Sequence, residues 1–319
     1  MNKINRFRWG MLVMLGAAVS LAGCNKDDDD NTTPAGNTIN DHLNNTTNYS
    51  LLRGAVERAG WQDSLRNGNF TLFAPTDSAF QRAGITSASG FGNYSTDSIR
   101  RILRYHIVPQ RLAAADIQTA NNTELTSLGG SRLYVTKTAA GAVFVNGYRV
   151  VQADGNADNG VVHGINGVLA PPRGNLSQVA ALDSNYTFLR AALTRADSSG
   201  TGALSTALRG TSPYTVFAPT NAAFRSAGFN SIAAINAADR ATLGRILGYH
   251  VVQGRYFSND FTTGTLTTVG GGTFNVGVNG NTIGLTGAGN GGTAATLGQG
   301  VLANNGLVYS INRVLLPSQ

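Results

Sequence analysis

Three blocks of this sequence occur twice in the same order, and a chain that repeats itself this way builds the same unit twice. Phe70-Thr71-Leu72-Phe73-Ala74-Pro75-Thr76-Asp77-Ser78-Ala79-Phe80 returns as Tyr214-Thr215-Val216-Phe217-Ala218-Pro219-Thr220-Asn221-Ala222-Ala223-Phe224. Ile102-Leu103-Arg104-Tyr105-His106-Ile107-Val108 returns as Ile246-Leu247-Gly248-Tyr249-His250-Val251-Val252, and both pairs are 144 residues apart. Asn159-Gly160-Val161-Val162-His163 returns as Asn305-Gly306-Leu307-Val308-Tyr309 at an offset of 146. The 319 residues have room for about two ordinary domains. Pro171-Pro172-Arg173-Gly174 is a stiff turn between the copies. The expected domains are therefore residues 40–173 and 174–319.

Each block has readable local physics. Thr71 to Phe73 is β-prone and stops at Pro75, which has no N–H for a ladder. Thr76 is placed to cap a short helix that Gly84 ends, and Thr220 and Gly228 repeat that start and stop. Asp97 or Ser98 is the expected cap of the next helix. There Ile99, Ile102, Leu103 and His106 fall on one face, as Leu243, Ile246, Leu247 and His250 do later. Earlier helices are expected near Tyr49 to Ala59 and Tyr186 to Thr194. Leu133 to Lys137, Ala142 to Asn146 and Val161 to Val168 read as strands, and Gly264 to Gly300 as a glycine-rich version of them. With 40 glycines and only 13% charged residues, the chain favours β-structure with many turns.

The N-terminus stands outside this pattern. Lys3, Arg6 and Arg8 precede an apolar run, Met11 to Ala22, that is too short to span a bilayer, so residues 1–23 read as a signal peptide. Leu21-Ala22-Gly23-Cys24 resembles the lipobox of bacterial lipoproteins, which implies a diacylglycerol on Cys24, the sole cysteine. Residues 24–39 read as a flexible acidic tether. Its Lys26-Asp27-Asp28-Asp29-Asp30 run resembles the signal that sends some Gram-negative lipoproteins to the outer face of the outer membrane. Outer-membrane anchoring, with the outer face favoured over the periplasmic one, is the expected location. Cleavage would leave 21 basic and 17 acidic residues, net +4. Scattered arginines favour acidic partners such as an anionic polysaccharide. No dense basic stripe with interleaved aromatics points to nucleic acid.

The three repeated blocks resemble the fasciclin (FAS1) domain, through Thr71 to Asp77, Tyr105-His106 and Asn159 to His163, with Val168 to Pro171 trailing. The second copy matches through Thr215 to Asn221, Tyr249-His250 and Asn305 to Pro317. The resemblance implies an α+β chain of two tandem modules, each a wedge-shaped β-sandwich flanked by short helices. It also implies an extracellular adhesion role. In animal members, integrin binding has been attached to an Asp-Ile pair before the Asn-Gly-Val-Val-His strand and to the Tyr-His region. Here that pair is Asp154-Gly155, and the second copy has Gly300 for the Asp, so the motif is broken twice and only the general binding role carries over.

The candidate binding surface is accordingly Tyr105, His106, Asp154, Tyr249 and His250. A histidine on an apolar helix face more often packs inside and donates to a backbone carbonyl than binds a metal, and that is the reading preferred for His106 and His250. Asp154 to Gly160 has oxygen ligands at alternate positions, but Ile165 stands where a calcium loop needs a bidentate Glu. Gly287 to Gly292 fits a dinucleotide fingerprint formally, with no acidic residue downstream to hold a ribose. No cofactor, metal, nucleotide or nucleic acid is expected, and no enzyme. The expected function is a surface-anchored adhesion or matrix-binding lipoprotein acting on a surface protein or polysaccharide. A hydrolase acting on surface polymers and a carrier of a small apolar molecule are the alternatives.

Overall fold

The computed structural model describes residues 36–197, 203–291, 297 and 300–318. The signal peptide, Cys24 and nearly all of the tether lie outside the described residues.

The chain forms two copies of one α+β module in the same element order. In the first, helices Ile39–Asn45, Ser50–Ala59 and Gln62–Asn67 lead into β1 (Phe70–Pro75). Helices Asp77–Arg82 and Thr96–Tyr105 follow, then β2 (Ile107–Val108), β3 (Ala120–Thr126), β4 (Arg132–Lys137), β5 (Val143–Val145), β6 (Tyr148–Ala157) and β7 (Gly160–Ile165). In the second, helices Leu176–Leu182, Thr187–Asp197 and Ala203–Arg209 precede β8 (Tyr214–Pro219). Helices Asn221–Ser226, Ile232–Ala237 and Arg240–Tyr249 lead to β9 (Val251–Gln253), β10 (Gly264–Thr267), β11 (Thr273–Asn279), β12 (Thr282–Gly287), β13 (Val301–Ala303) and β14 (Gly306–Ile311).

The caps form as local chemistry dictates. Thr76 accepts from the Ala79 N–H and Thr220 from the Ala223 N–H. Gly84 and Gly228 follow their helix ends at φ +84° and +93°, where a side chain is disfavoured. The helix ending at Tyr105 starts two to three residues earlier than expected. Ser95 is its cap and accepts from the Ser98 N–H, so Asp97 lies in the first turn, where its charge suits the helix dipole.

Seven strands of the first module form one sheet in the order β2-β1-β7-β6-β5-β4-β3. β1 runs parallel to β7, Phe70 to Pro75 facing Gly160 to Ile165. β8 and β14 reproduce that register, Tyr214 to Pro219 facing Gly306 to Ile311. Gly160 and Gly306 are required there, since a Cβ would stand 2.0 Å from the Phe70 carbonyl oxygen or 1.8 Å from that of Tyr214. β6 pairs with β5 at its start and with β7 further on, and two register shifts bend it between. The bend lets β4 and β5 lie over β1 and β2, so Leu133, Val135 and Val145 share a core with Phe73 and Val108. In the second module the same strands appear as β13-β14-β8-β9 and β10-β11-β12. Glycine leaves its strands short of side chains, and Phe217, Phe261, Phe274, Tyr249 and Tyr309 pack together to fill the space. Each such ring buried contributes roughly 1.5–3 kcal/mol. Each module packs its helices over the other face of β1 or β8 in a core of its own.

The core between the sheet halves runs without a break from one module into the other. Tyr134 of β4 packs against Phe257 with ring centroids 5.8 Å apart. The Arg255 guanidinium lies over the Tyr134 ring at 4.0 Å. A register irregularity in β3 sets Asn122 at φ +55°, and its Nδ2 donates to the Arg255 carbonyl and to Asp260 Oδ2, both at 3.1 Å.

Candidate functional site

Four of the five residues expected on a binding surface are interior. Tyr105, His106 and Tyr249 are 1% exposed and His250 is 2% exposed. They form no surface, because each closes the end of its helix onto the sheet. His106 Nδ1–H donates to the Ile102 carbonyl at 2.8 Å, and the Leu169 N–H donates to His106 Nε2 at 2.9 Å. His250 does the same with Ile246 at 2.7 Å and Leu315 at 2.8 Å. Both imidazoles are neutral, for burial lowers each pKa to about 4. The Tyr105 hydroxyl donates to the Arg132 carbonyl and accepts from Asn146 Nδ2. Tyr249 donates to the Thr273 carbonyl and accepts from the Ala288 N–H.

Other repeated polar side chains are engaged in the same way. Asn159 donates to the Leu65 and Gly68 carbonyls and accepts from the Ile39 N–H. Asn305 donates to Leu208 and Gly210 and accepts from Leu176. Thr71 and Thr215 each donate to one carbonyl of the following loop and accept one N–H from it. Even the mismatch at His163 and Tyr309 conceals a shared role. His163 donates from Nε2 to the Leu112 carbonyl at 2.8 Å, and the Tyr309 hydroxyl donates to the Tyr256 carbonyl at 2.9 Å. Leu112 and Tyr256 occupy equivalent places, each N–H donating to the β-strand threonine.

Asp154 alone of the five is exposed. It lies in bent β6 at φ +55°, with Oδ1 accepting from the Ala114 N–H at 2.8 Å. The stretch from Asp154 is strand and tight turn, with Gly155 facing Val162 and Ala157 facing Gly160, so it does not curl into a calcium loop. A side chain at Gly155, such as the isoleucine of the animal motif, would have to displace the His42 ring. A Cβ there would sit 2.7 Å from His42 Nε2 and 3.0 Å from the Val162 carbonyl oxygen. Among the described residues no group of three or more His, Cys, Asp or Glu is placed to hold a metal.

The seam between the modules collects polar groups that also bond across it. Asp260 accepts from the Phe257 N–H, from Asn122 and from Asn259, and burial raises its pKa. Burial likewise lowers the pKa of Arg255, which remains a cation over Tyr134. Its Nη2 donates to the Asn304 carbonyl at 3.3 Å, while its Nε and the Asn259 Oδ1 are buried without partners. Beside them opens a groove of about 310 Å³, lined by Gly130, Ser131, Arg132 and Tyr134 of one module, Pro172 of the link, and Leu302, Ala303 and Asn304 of the other.

These seam residues are invisible in the repeat. Arg255 and Asp260 correspond to Arg111 and Asp116, which are exposed. Asp116 accepts from the Ala113 N–H as Asp260 does from that of Phe257. Phe257 thus stands where the first copy has Ala113. Tyr134 stands where the second has Asn275, by the pairing of β3 with β4 and of β10 with β11. The signal available in sequence was negative: the seam aromatics Tyr134 and Phe257 are side chains the copies do not share.

A family model described as the fasciclin domain matches residues 47–171 and again 184–317. The transforming growth factor-beta-induced protein ig-h3 of Sus scrofa is 29% identical over 252 residues, covering 78% of this chain and 35% of that protein. The chain thus spans only about a third (35%) of the length of that protein and of its Oryctolagus cuniculus counterpart. Protein sll1483 of Synechocystis is 40% identical over 127 residues, covering 39% of this chain and 68% of that protein. Among solved structures, a FAS1 domain pair from the insect cell adhesion molecule fasciclin I aligns with 84% of this chain and 97% of its own, at 19% identity and a TM-score of 0.41.

Proposed function

The chain belongs to the fasciclin domain family, as two tandem copies, and from that premise we propose that it is a surface-anchored adhesion or matrix-binding lipoprotein. Fasciclin domains occur in adhesion and extracellular-matrix proteins, and these are generally not enzymes. The observation that carries the reading is the use made of the repeated polar residues. Tyr105, His106, Asn159 and their counterparts spend their hydrogen bonds on their own module, so the repeat supplies a scaffold and binding belongs to the outer surface and the seam.

In this reading Cys24 carries the lipid and the acidic run after it holds the modules away from the outer membrane, on its outer face. Several acyl chains suffice for stable anchoring, since each buried CH₂ adds about 0.8 kcal/mol. The ligand is a surface protein or polysaccharide. Two modules in a fixed relation present two faces to a repeating ligand, which raises avidity without a strong single site.

Palmitate labelling of cells expressing the chain tests the anchor, and Cys24→Ser should abolish the label. Protease treatment of intact cells should remove the protein. Adhesion of those cells to polysaccharide-coated and protein-coated surfaces should fall when Cys24→Ser releases the protein from them. Unchanged adhesion would overturn the reading.

A second reading, a carrier of a small apolar molecule, rests on a cavity of about 130 Å³ among Leu52, Phe80, Phe91, Ile99 and Leu103 in the first module. A co-purified ligand in a native mass spectrum would favour it.

A further inference from the structure

We propose that the cavity of the first module is a binding site for a single aromatic ring, apolar on its buried side and with any polar group held at the mouth beside Tyr94. The proposal rests on the carrier reading and names the ligand class that the cavity would take. The space is about 130 Å³. Native cores hold few voids larger than a water molecule, because the side chains around a void lose their packing partners. A dry cavity of roughly 150 Å³ lined by Leu, Ile and Phe takes up benzene. One ring with a small substituent is therefore the size that fits here, and a long acyl chain is not.

The lining sets the chemistry. No Asp, Glu, Lys or Arg lines the cavity, and only His106 and Tyr94 carry polar side-chain atoms. Both nitrogens of His106 are engaged already, Nδ1–H with the Ile102 carbonyl and Nε2 with the Leu169 N–H. A hydroxyl or carboxylate at the inner end would lose its water and find no side chain to replace it. Tyr94 is 41% exposed and has the one side-chain hydroxyl of the lining. It marks the mouth, where a polar substituent stays wet. The Phe80 and Phe91 rings stand at 86° with centroids 5.6 Å apart, and an aromatic guest extends that cluster through edge and face contacts.

The second copy differs at the residues on which the site depends. Ile85 corresponds to Phe229, whose ring packs edge-on against Phe224 at 6.1 Å. Phe91 corresponds to Ile235, and Tyr94 to Ala238. The wall differs too. Phe91 lies between Gly90 and Gly92 in a 3-10 helix, Ala88–Asn93, whereas Ile235 lies between Ala234 and Asn236 in the α-helix Ile232–Ala237. Glycine weakens helical order, so the wall that carries Phe91 is the part able to yield and admit a ring. The site is thus assigned to the first copy alone.

The test is equilibrium dialysis of the full chain in detergent against p-cresol, toluene and hydroquinone under argon, with protein-free detergent as the blank. p-Cresol should bind as one ring per chain, and toluene within about threefold of it. Hydroquinone should bind at least about tenfold more weakly, since one of its two opposed hydroxyls must be buried unpaired. Ile85→Phe, which brings in the side chain of the second copy, should abolish p-cresol binding and leave the melting temperature unchanged or higher. Should that variant fail to fold, p-cresol against hydroquinone on the parent chain still decides. Equal affinity for hydroquinone, two rings bound per chain, or p-cresol binding unchanged in Ile85→Phe overturns the proposal. Absence of p-cresol binding overturns it too, and a co-purified ligand of another class in the native mass spectrum would then leave the carrier reading standing.

Discussion

Gly147 lies so close under Phe257 that a Cβ on it would stand 3.1 Å from the Phe257 Cβ. The contact joins the tight turn between β5 and β6 of the first module to the loop after β9 of the second. The turn needs φ +48° at Asn146 and +83° at Gly147, the geometry that matches the twist of its two strands. One glycine therefore serves both the hairpin and the seam.

Gly147→Ala should cost about 2 kcal/mol, from the left-handed backbone and the push on Phe257. It should also uncouple the modules. The parent chain is expected to unfold in one calorimetric transition, because one core runs through both copies, and the variant in two. A single transition with an unchanged midpoint would show that the seam accommodates the methyl and that the modules stay coupled.

Stability should fall as the solution turns acid. His106 and His250 have folded pKa values of about 4 against 6.5 for the free side chain. A depressed histidine pKa means that the unfolded chain binds protons first, so the stability is complete above pH 6.5 and drains away toward pH 4. Between pH 6.5 and 5 the loss is about 1.5 kcal/mol per histidine, or ~3 kcal/mol for the pair. Burial lowers the His163 pKa too and adds in the same direction. Asp260 acts oppositely: its raised pKa gives stability that is present below 3.8 and lost as pH rises through the folded value. Urea titrations at pH 7, 6 and 5 would measure the slope, and His106→Ala should flatten it by about half.

Asn159→Ala and Asn305→Ala should each cost about 3 kcal/mol. Each deletes two donors and one acceptor whose partners are backbone groups with little water to replace them. Chemical denaturation should show the same cost in both copies, since the bonds are the same. A large difference would mean that the two modules do not rely on this staple equally.

Asp154→Gly should stay within about 1 kcal/mol of the parent. The change loses the bond from the Ala114 N–H but relieves a left-handed residue at φ +55°, and each effect is worth roughly 1 kcal/mol. The second copy already has glycine at this place. Thermal melting reads the balance, and a loss above 2 kcal/mol would make Asp154 a structural post.

The sequence by itself determined the two modules, their α+β class, the Thr76 and Thr220 caps, the Gly84 and Gly228 stops and the inward faces of the helices ending at His106 and His250. All of these depend on neighbours a few residues away or on a pattern that recurs, so they are written locally. It also favoured an interior role for the two histidines while listing them as surface candidates, and burial decided between these. Tertiary structure alone decided the seam. Arg111 and Asp116 have the same identity and spacing as Arg255 and Asp260, yet the first pair is exposed and the second half-buried. The difference lies in what packs on them. β3, β4 and the turn before β6 close over the second pair, bringing Tyr134 over Arg255 and Asn122 onto Asp260 across more than 120 residues of chain. Desolvation depends on that distant partner, and no window of sequence around Arg255 contains it.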